Sequence, residues 1–225
     1  MKKINFSTNK VFCKTDKEVH TAKLIVGSDG MNSKIRELSK ISYRSWSYNQ
    51  TAVVTNFKTS INESCIKQTF TSIGPLALLP INDRESTMIW SIDDDVSYKF
   101  LSMSDEEFTN EVVNKFGEQI GKLEMISKRQ HFPLHHLSAK TFAKKGVFLV
   151  GDSAHHIHPL AGLGLNSGIG DVACLSELIE SNGLENLEEL ISAYNRKRIP
   201  INPVSYTHLR AHETGRNLVC RLLLE

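Results

Sequence analysis

The 225-residue chain is short of cysteine, long apolar runs and net charge, and each shortage removes a class of protein. Its four cysteines, Cys13, Cys65, Cys174 and Cys220, stand tens of residues apart with no CxxC pair. That spacing argues against a disulfide framework or a thiolate zinc site and leaves the reading of buried thiols in a reducing compartment. No run of about eighteen apolar residues is present, so no transmembrane helix is expected, and MKKINFSTNK lacks the apolar stretch of a secretory signal. With 27 Lys plus Arg against 25 Asp plus Glu the formal charge is only +2. Basic side chains interspersed with acids leave no broad footprint for nucleic acid. Internal repeats are also missing.

What is present is a globular composition, 40% hydrophobic, long enough for one large domain or two small ones. Lys3–Phe6 and Lys10–Cys13 read as short strands around a turn at Ser7–Asn9. A polar link follows, then AKLIVG (Ala22–Gly27), an apolar run of the parallel-strand type. A helical turn or two is expected within Met31–Ser39, starting at Asn32 or Ser33. From Gln50 the pattern becomes TAVVTNF, CIKQTFT, PLALLPI and STMIWSI, strands of a separate antiparallel sheet with Asn82–Glu85 as a hairpin connection. Ser104–Phe116 reads as a helix capped by Ser104, with Phe108, Val112, Val113 and Phe116 facing inward. KLEMISKRQHFPL is strand-like and leads into a turn at Pro133. GVFLV (Gly146–Val150) is a buried strand. Leu165, Ile169, Val172, Ala173, Leu175, Ser176 and Ile179 then recur at helical spacing, as for a helix buried on a sheet, and Leu187–Arg198 forms another helix.

Two glycine–acid motifs carry chemistry. In Gly27-Ser28-Asp29-Gly30 a buried strand ends on a carboxylate and an unhindered backbone, at the sheet edge where open α/β folds bind ligands; a DG turn is also a common way to leave a strand. The second runs from GVFLV through Gly151-Asp152, His155, Pro159, Gly162, Gly164 and Asn166 into a helix. Asp152 can accept from ligand hydroxyls, the glycines permit close approach, and the helix start offers N–H groups to developing negative charge. Neither GKS nor GKT follows, so it is not an ATP-type phosphate loop, and its glycines lie too far from the strand for a dinucleotide GxGxxG.

Together GSDGMNSKIRE and GVFLVGDSAHHIHPLAGLGLNSGIGDVACLSELIE resemble the middle and late motifs of the class A flavoprotein aromatic hydroxylases, over residues 20–200. FTSIGPLALLPI, HFPLHHL and HPLAGLGLN resemble the branch that hydroxylates ubiquinone precursors. The resemblance implies an α/β chain, part of a three-layer FAD-binding fold with an antiparallel substrate-domain sheet. Its expected divisions are 1–45 with the DG motif, 46–130 as the substrate domain, 131–203 with the GD motif, and 204–225 as a foreign tail. It implies FAD contacts from Asp29, Gly30, Ser33, Arg36, Gly151, Asp152, Pro159, Gly162, Leu163, Gly164, Leu165 and Asn166, the helix opening near Leu165 and Asn166. NAD(P)H would be co-substrate, O2 the oxidant, and a hydrophobic phenol or polyprenyl-phenol the ring hydroxylated, with no residue compelled to act as catalytic base. Biosynthetic-complex proteins are conceivable partners, and the location implied is cytoplasmic, with room for peripheral contact at the inner membrane.

Three departures accompany the resemblance. Leu163 stands where the family usually has Gln. No GxGxxG strand for the ADP half of FAD precedes AKLIVG, so an internal fragment, inactive alone, is expected. VSYTHLRAHETGRNLVCRLLLE from Val204 resembles a translated sequencing-adapter tail, and no role is expected for His208, His212 or Cys220. His131, His135, His136, His155, His156 and His158 lack any metal-site spacing such as HExxH, and are expected to face solvent or steady turns. Other flavoproteins of the same fold, reductases or halogenases, and a noncatalytic fragment are the alternatives.

Overall fold

A computed structural model describes residues 2–7, 10–59, 65–159 and 163–201. The chain forms two compact units, Met1–Trp46 with His136–Glu225, and Ser47–His135. It opens with an antiparallel meander of β1 (Lys3–Ser7), β2 (Lys10–Lys14) and β3 (Val19–Ala22), followed by β4 (Ile25–Gly27) and α1 (Lys34–Leu38). β5 (Tyr43–Thr59) carries the chain into the second unit, which holds β6 (Lys67–Thr71), β7 (Gly74–Asn82), β8 (Glu85–Asp93), α2 (Asp94–Ser102), α3 (Asp105–Phe116) and β9 (Leu123–Met125). β10 (Gln130–Ala139) returns it, and β11 (Ala143–Lys144), β12 (Val147–Leu149), β13 (His155–His156), α4 (Leu163–Asn182) and α5 (Leu187–Arg198) complete the first unit.

Five elements differ from expectation. The polar link contains β3, whose residues are all exposed. It pairs with β2 through backbone hydrogen bonds, so no apolar periodicity marks it, and the parallel strand shrinks to β4. Helix α2 starts on Asp94 and Asp95, acids that suit the positive end of a helix dipole, and it buries Phe100. Pro133 lies inside β10 rather than in a turn, since extended backbone accepts the fixed φ of proline. On α4 the buried residues are Asp171, Cys174, Leu175 and Leu178, whereas Leu165, Ile169 and Val172 of the expected buried stripe are exposed.

In the first unit β12 pairs in parallel with β4 and antiparallel with β11. Val147, Phe148 and Leu149 are wholly buried, and Leu175, Leu178, Leu190 and Tyr194 join them in one core. Tyr194 Oη donates to Leu149 O at 2.9 Å, and Asn195 Oδ1 accepts from the N–H groups of Phe142 and Ala143, which fastens α5 to the β11–β12 hairpin.

The second unit is an antiparallel sheet in the order β5-β8-β7-β6, with β9 also paired to β5. One face carries Val53, Phe57, Leu76, Leu78, Met88, Trp90 and Ile92 against Phe100, Phe108 and Val112 of the two helices. Helix α3 begins as expected, with Ser104 and Glu107 capping reciprocally. Arg129 donates to the carbonyls of Phe100 and Met103 and lies 5.0 Å from the Phe108 ring centre, securing the end of α2.

Gly74 opens β7 at φ +128, and a Cβ there would fall 1.9 Å from the Ser91 carbonyl oxygen. Gly74→Ala is therefore expected to destabilise the second unit by about 3 kcal/mol or more, seen as a lower urea midpoint. An unchanged midpoint would refute this account of the β7–β8 register.

Candidate functional site

β4 and β12 place both glycine–acid motifs at one sheet edge, because Gly27 is register partner to Leu149. Gly27 has no room for a side chain: a Cβ would meet Ile35 Cγ2 and Leu149 Cδ2, each at 2.9 Å. Its carbonyl accepts from Val150 N at 3.0 Å and from Ser153 Oγ at 2.5 Å. Arg36, only 4% exposed, donates Nη1 to Ser153 O at 2.9 Å and Nη2 to Met31 O at 2.6 Å. The turns after the two strands are thus one hydrogen-bonded unit.

Within the first motif, Asp29 Oδ1 accepts from Ser33 Oγ at 2.5 Å and Oδ2 from Ile35 N at 3.1 Å. Ser33 in turn accepts from Arg36 N and caps α1. Burial pushes the Asp29 carboxyl up, but the hydrogen bonds from Ser33 and Ile35 outweigh it and hold the group below its usual value. Both Asp29 oxygens are engaged locally. Gly30, at φ +79, faces open space.

The second motif turns on Gly151, at φ +60, into a short 3-10 turn, Gly151–Ser153. Asp152 Oδ2 accepts from His156 Nδ1 at 2.8 Å; Oδ1 has no partner among the described residues, and the side chain is 46% exposed. The His156 hydrogen bond, against the opposing effect of burial, holds the Asp152 carboxyl below its usual value. Asp171, fully buried, lies beneath this turn. Its Oδ2 accepts from Gly151 N at 2.9 Å and His155 Nε2 at 2.6 Å, and its Oδ1 from Arg198 Nε at 2.7 Å. An acceptor-only carboxylate assigns the imidazole proton to Nε2, and the buried Nδ1 has no partner among the described residues. Gly168 and Gly170 make room: a Cβ on the first would stand 3.3 Å from Gly151 Cα, and one on the second 3.3 Å from Arg198 Nη2.

Asp29, Gly30, Ser33 and Arg36 therefore lie on the first turn, and Gly151 and Asp152 on the second. Pro159 is exposed just past β13. Leu163 and Gly164 are partly buried and already helical, so α4 begins earlier than the expected opening near Leu165 and Asn166, both of which are exposed. Helical hydrogen bonding reaches back toward the glycine turn. Gly162 and the tail from Val204 fall outside the described residues.

Of the histidines expected to face solvent or steady turns, His136, His155 and His158 are buried, and His155 shares with Gly151 N the Asp171 oxygen beneath the turn. His136 stacks on Trp46 at 3.8 Å, and burial, with His156 and His155 nearby, pushes it down to about 4. Burial alone takes His158 to about 4. Cys65 is exposed, unlike the buried thiols expected. Sequence reasoning missed Asp171 and Arg198. The signal for Asp171 was its solitary charge in LGLNSGIGDVACL, since a lone acid amid small and apolar helix residues demands a partner; nothing distinguishes Arg198 from Arg196.

The free Asp152 oxygen, the left-handed Gly151 and the first described turn of α4 fit a ligand with hydroxyls next to an electron-rich group. Residues 8–203 match a family described as FAD binding domain. A ubiquinone hydroxylase of Rhodospirillum rubrum is 32% identical over 193 residues, 84% of this chain and 45% of that protein. The 3-demethoxyubiquinol 3-hydroxylase of Escherichia coli is 32% identical over 163 residues, 72% of this chain and 41% of that protein. The chain thus spans under half the length of these relatives. Among solved structures, a Diels-Alderase of pyrroindomycin biosynthesis shares the fold, with TM-score 0.73, 19% identity, and 94% of this chain and 47% of that one covered.

His136 and His158 set an acid limit. An unfolded chain protonates them near 6.5, whereas the folded chain keeps them neutral down to about 4, so stability is complete above 6.5 and declines as pH falls through that window. The depressed Asp29 and Asp152 act lower, their contribution being present above 3.8 and lost below it. Urea midpoints are expected to fall between about pH 6.5 and 4, and less steeply in His158→Gln. Parallel slopes for the two proteins would contradict the assignment to His158.

Proposed function

This chain belongs to the FAD binding domain family, and we propose that it serves FAD-dependent hydroxylation of the aromatic ring of a ubiquinone precursor, with NAD(P)H and O2 as co-substrates. The observation that carries the reading is the Gly151–Asp152 turn, a half-exposed carboxylate with one oxygen unpartnered among the described residues, in a chain whose relatives include a ubiquinone hydroxylase and a 3-demethoxyubiquinol 3-hydroxylase. Asp152 would accept from the ribityl hydroxyls. Pro159, Gly162, Leu163, Gly164, Leu165 and Asn166 would lie along the ring, with the backbone N–H groups in the first turn of α4, Leu165 and Asn166 among them, favouring negative charge at its pyrimidine edge. Leu163 removes a polar side chain there but leaves the backbone donors intact. Asp29, Gly30, Ser33 and Arg36 would serve the nucleotide side, with Asp29 acting through the loop it holds, since its own oxygens are engaged.

Bound FAD would supply the redox chemistry: NAD(P)H is oxidised, one O2 atom enters the ring as hydroxyl, and the other leaves as water. The protein's share is to bind, orient and exclude water, and no side chain is assigned a proton transfer. The first unit would be the FAD-binding domain and the second would provide the substrate sheet. A polyprenyl-phenol would come from a bilayer, so peripheral membrane contact belongs to the proposal; no helix among the described residues is long and apolar enough to cross one.

Two measurements test this. Titration with FAD, followed by flavin fluorescence, is expected to show binding that weakens about 10- to 100-fold in Asp152→Ala, the range of a charge-assisted hydrogen bond. With isotopically heavy O2, a polyprenyl-phenol is expected to gain one heavy oxygen on its ring where this sequence acts within a full-length hydroxylase, and none with the 225-residue chain alone. NAD(P)H oxidation with an unmodified phenol would support the reductase or halogenase alternative instead.

A further inference from the structure

Asp171 is an expensive residue to bury, and the core does not need it to hold α4 and α5 together, because Leu175, Leu178, Leu190 and Tyr194 already do so. Its three donors come from different parts of the chain: the Gly151 backbone at the glycine–acid turn, His155 on β13 and Arg198 on α5. Arg198 balances the charge and also donates Nη2 to Ser167 O at 3.0 Å, one turn before Asp171 on the same helix. Gly168 and Gly170 bring the backbone and the guanidinium within reach. The residue after Gly151 is Asp152, whose carboxylate would meet the cofactor hydroxyls. The direction of that carboxylate depends on the peptide that Asp171 holds.

We propose that Asp171, neutralised by Arg198, is a positioning residue that sets the Gly151–Asp152 turn for flavin binding through the Gly151 N–H. This rests on the FAD reading above for its ligand, but not for its geometry. Asp171 touches no ligand itself; it acts through Asp152. A residue of purely structural value would affect stability and leave the two aspartates independent in binding.

The test is a double-variant cycle on the full chain with Asp171→Asn, Asp152→Ala and the pair, read by FAD dissociation constants and by hydrogen exchange of the Gly151 amide. Asp171→Asn is expected to weaken FAD binding about tenfold in the parent background and less than about twofold when Asp152 is already Ala. Gly151 exchange is expected to accelerate at least about tenfold, while amides in the middle of α5 keep their protection. Arg198→Lys, which keeps the charge but loses the Nε donor, is expected to show the same pattern to a smaller degree and serves if Asp171→Asn does not fold. Equal losses with and without Asp152 would overturn the proposal, as would unchanged Gly151 exchange in a folded variant. If the parent chain binds no FAD, the functional reading fails, and the Gly151 exchange still decides the positioning claim because it needs no cofactor.

Discussion

The first unit depends on the parallel pairing of β4 with β12. Three rungs, Ile25 with Val147, Val26 with Phe148 and Gly27 with Leu149, join segments separated by the whole of the second unit. Such long-range closure is entropically costly, and the completely buried Val147, Phe148 and Leu149 help offset it. The pairing alone would leave two loose loops beyond the strands. The Gly27 carbonyl prevents this by taking donors from both Val150 and Ser153, and Arg36 closes the knot from the other side. A side chain on Gly27 would push Ile35 and Leu149 apart and disturb both motifs at once.

The two glycine–acid motifs look alike in sequence, yet hydrogen bonding gives their acids different duties. Asp29 uses one oxygen on Ser33 and the other on Ile35, so it organises the entry to α1 and has little left for a ligand. Asp152 shares one oxygen with His156, and its other oxygen has no partner among the described residues. Asp171 is the third case, a buried carboxylate with every donor supplied by the protein. Such a pair adds little stability over an apolar replacement, whereas removing one partner alone costs about 3–5 kcal/mol. That asymmetry suits a group kept for geometry.

Much of this was legible from the chain. Alternation with intervening turns marked the strands of the second unit, and the Ser104 to Glu107 spacing marked the start of α3, because both signals are local. Ser33 as the cap of α1 was readable for the same reason. The misses at β3 and the buried histidines are non-local. β3 exists by virtue of its partner strand, and the burial of His136, His155 and His158 depends on neighbours distant in the sequence. The resemblance named the candidate site residues, but only coordinates show that Asp29 is engaged on both oxygens where Asp152, among the described residues, is engaged on one.

Helix α4 shows why periodicity could not choose a face. Leu165, Ile169 and Val172 lie at helical spacing, and so do Leu175 and Leu178 with Cys174 and Asp171. Two stripes of comparable apolar content compete, and burying either gains about 1.5–3 kcal/mol per large aliphatic side chain. Hydrophobicity is then nearly indifferent to rotation about the helix axis. The decision falls to contacts that only one rotation permits: Gly168 against Gly151, Gly170 against the Arg198 guanidinium, and Asp171 on its three donors. Turning the other stripe inward would replace the glycine contacts with side chains and strip Gly151 N and Arg198 Nε of their acceptor. The small and charged residues of SGIGD therefore orient the helix, and its exposed leucine, isoleucine and valine follow from that choice.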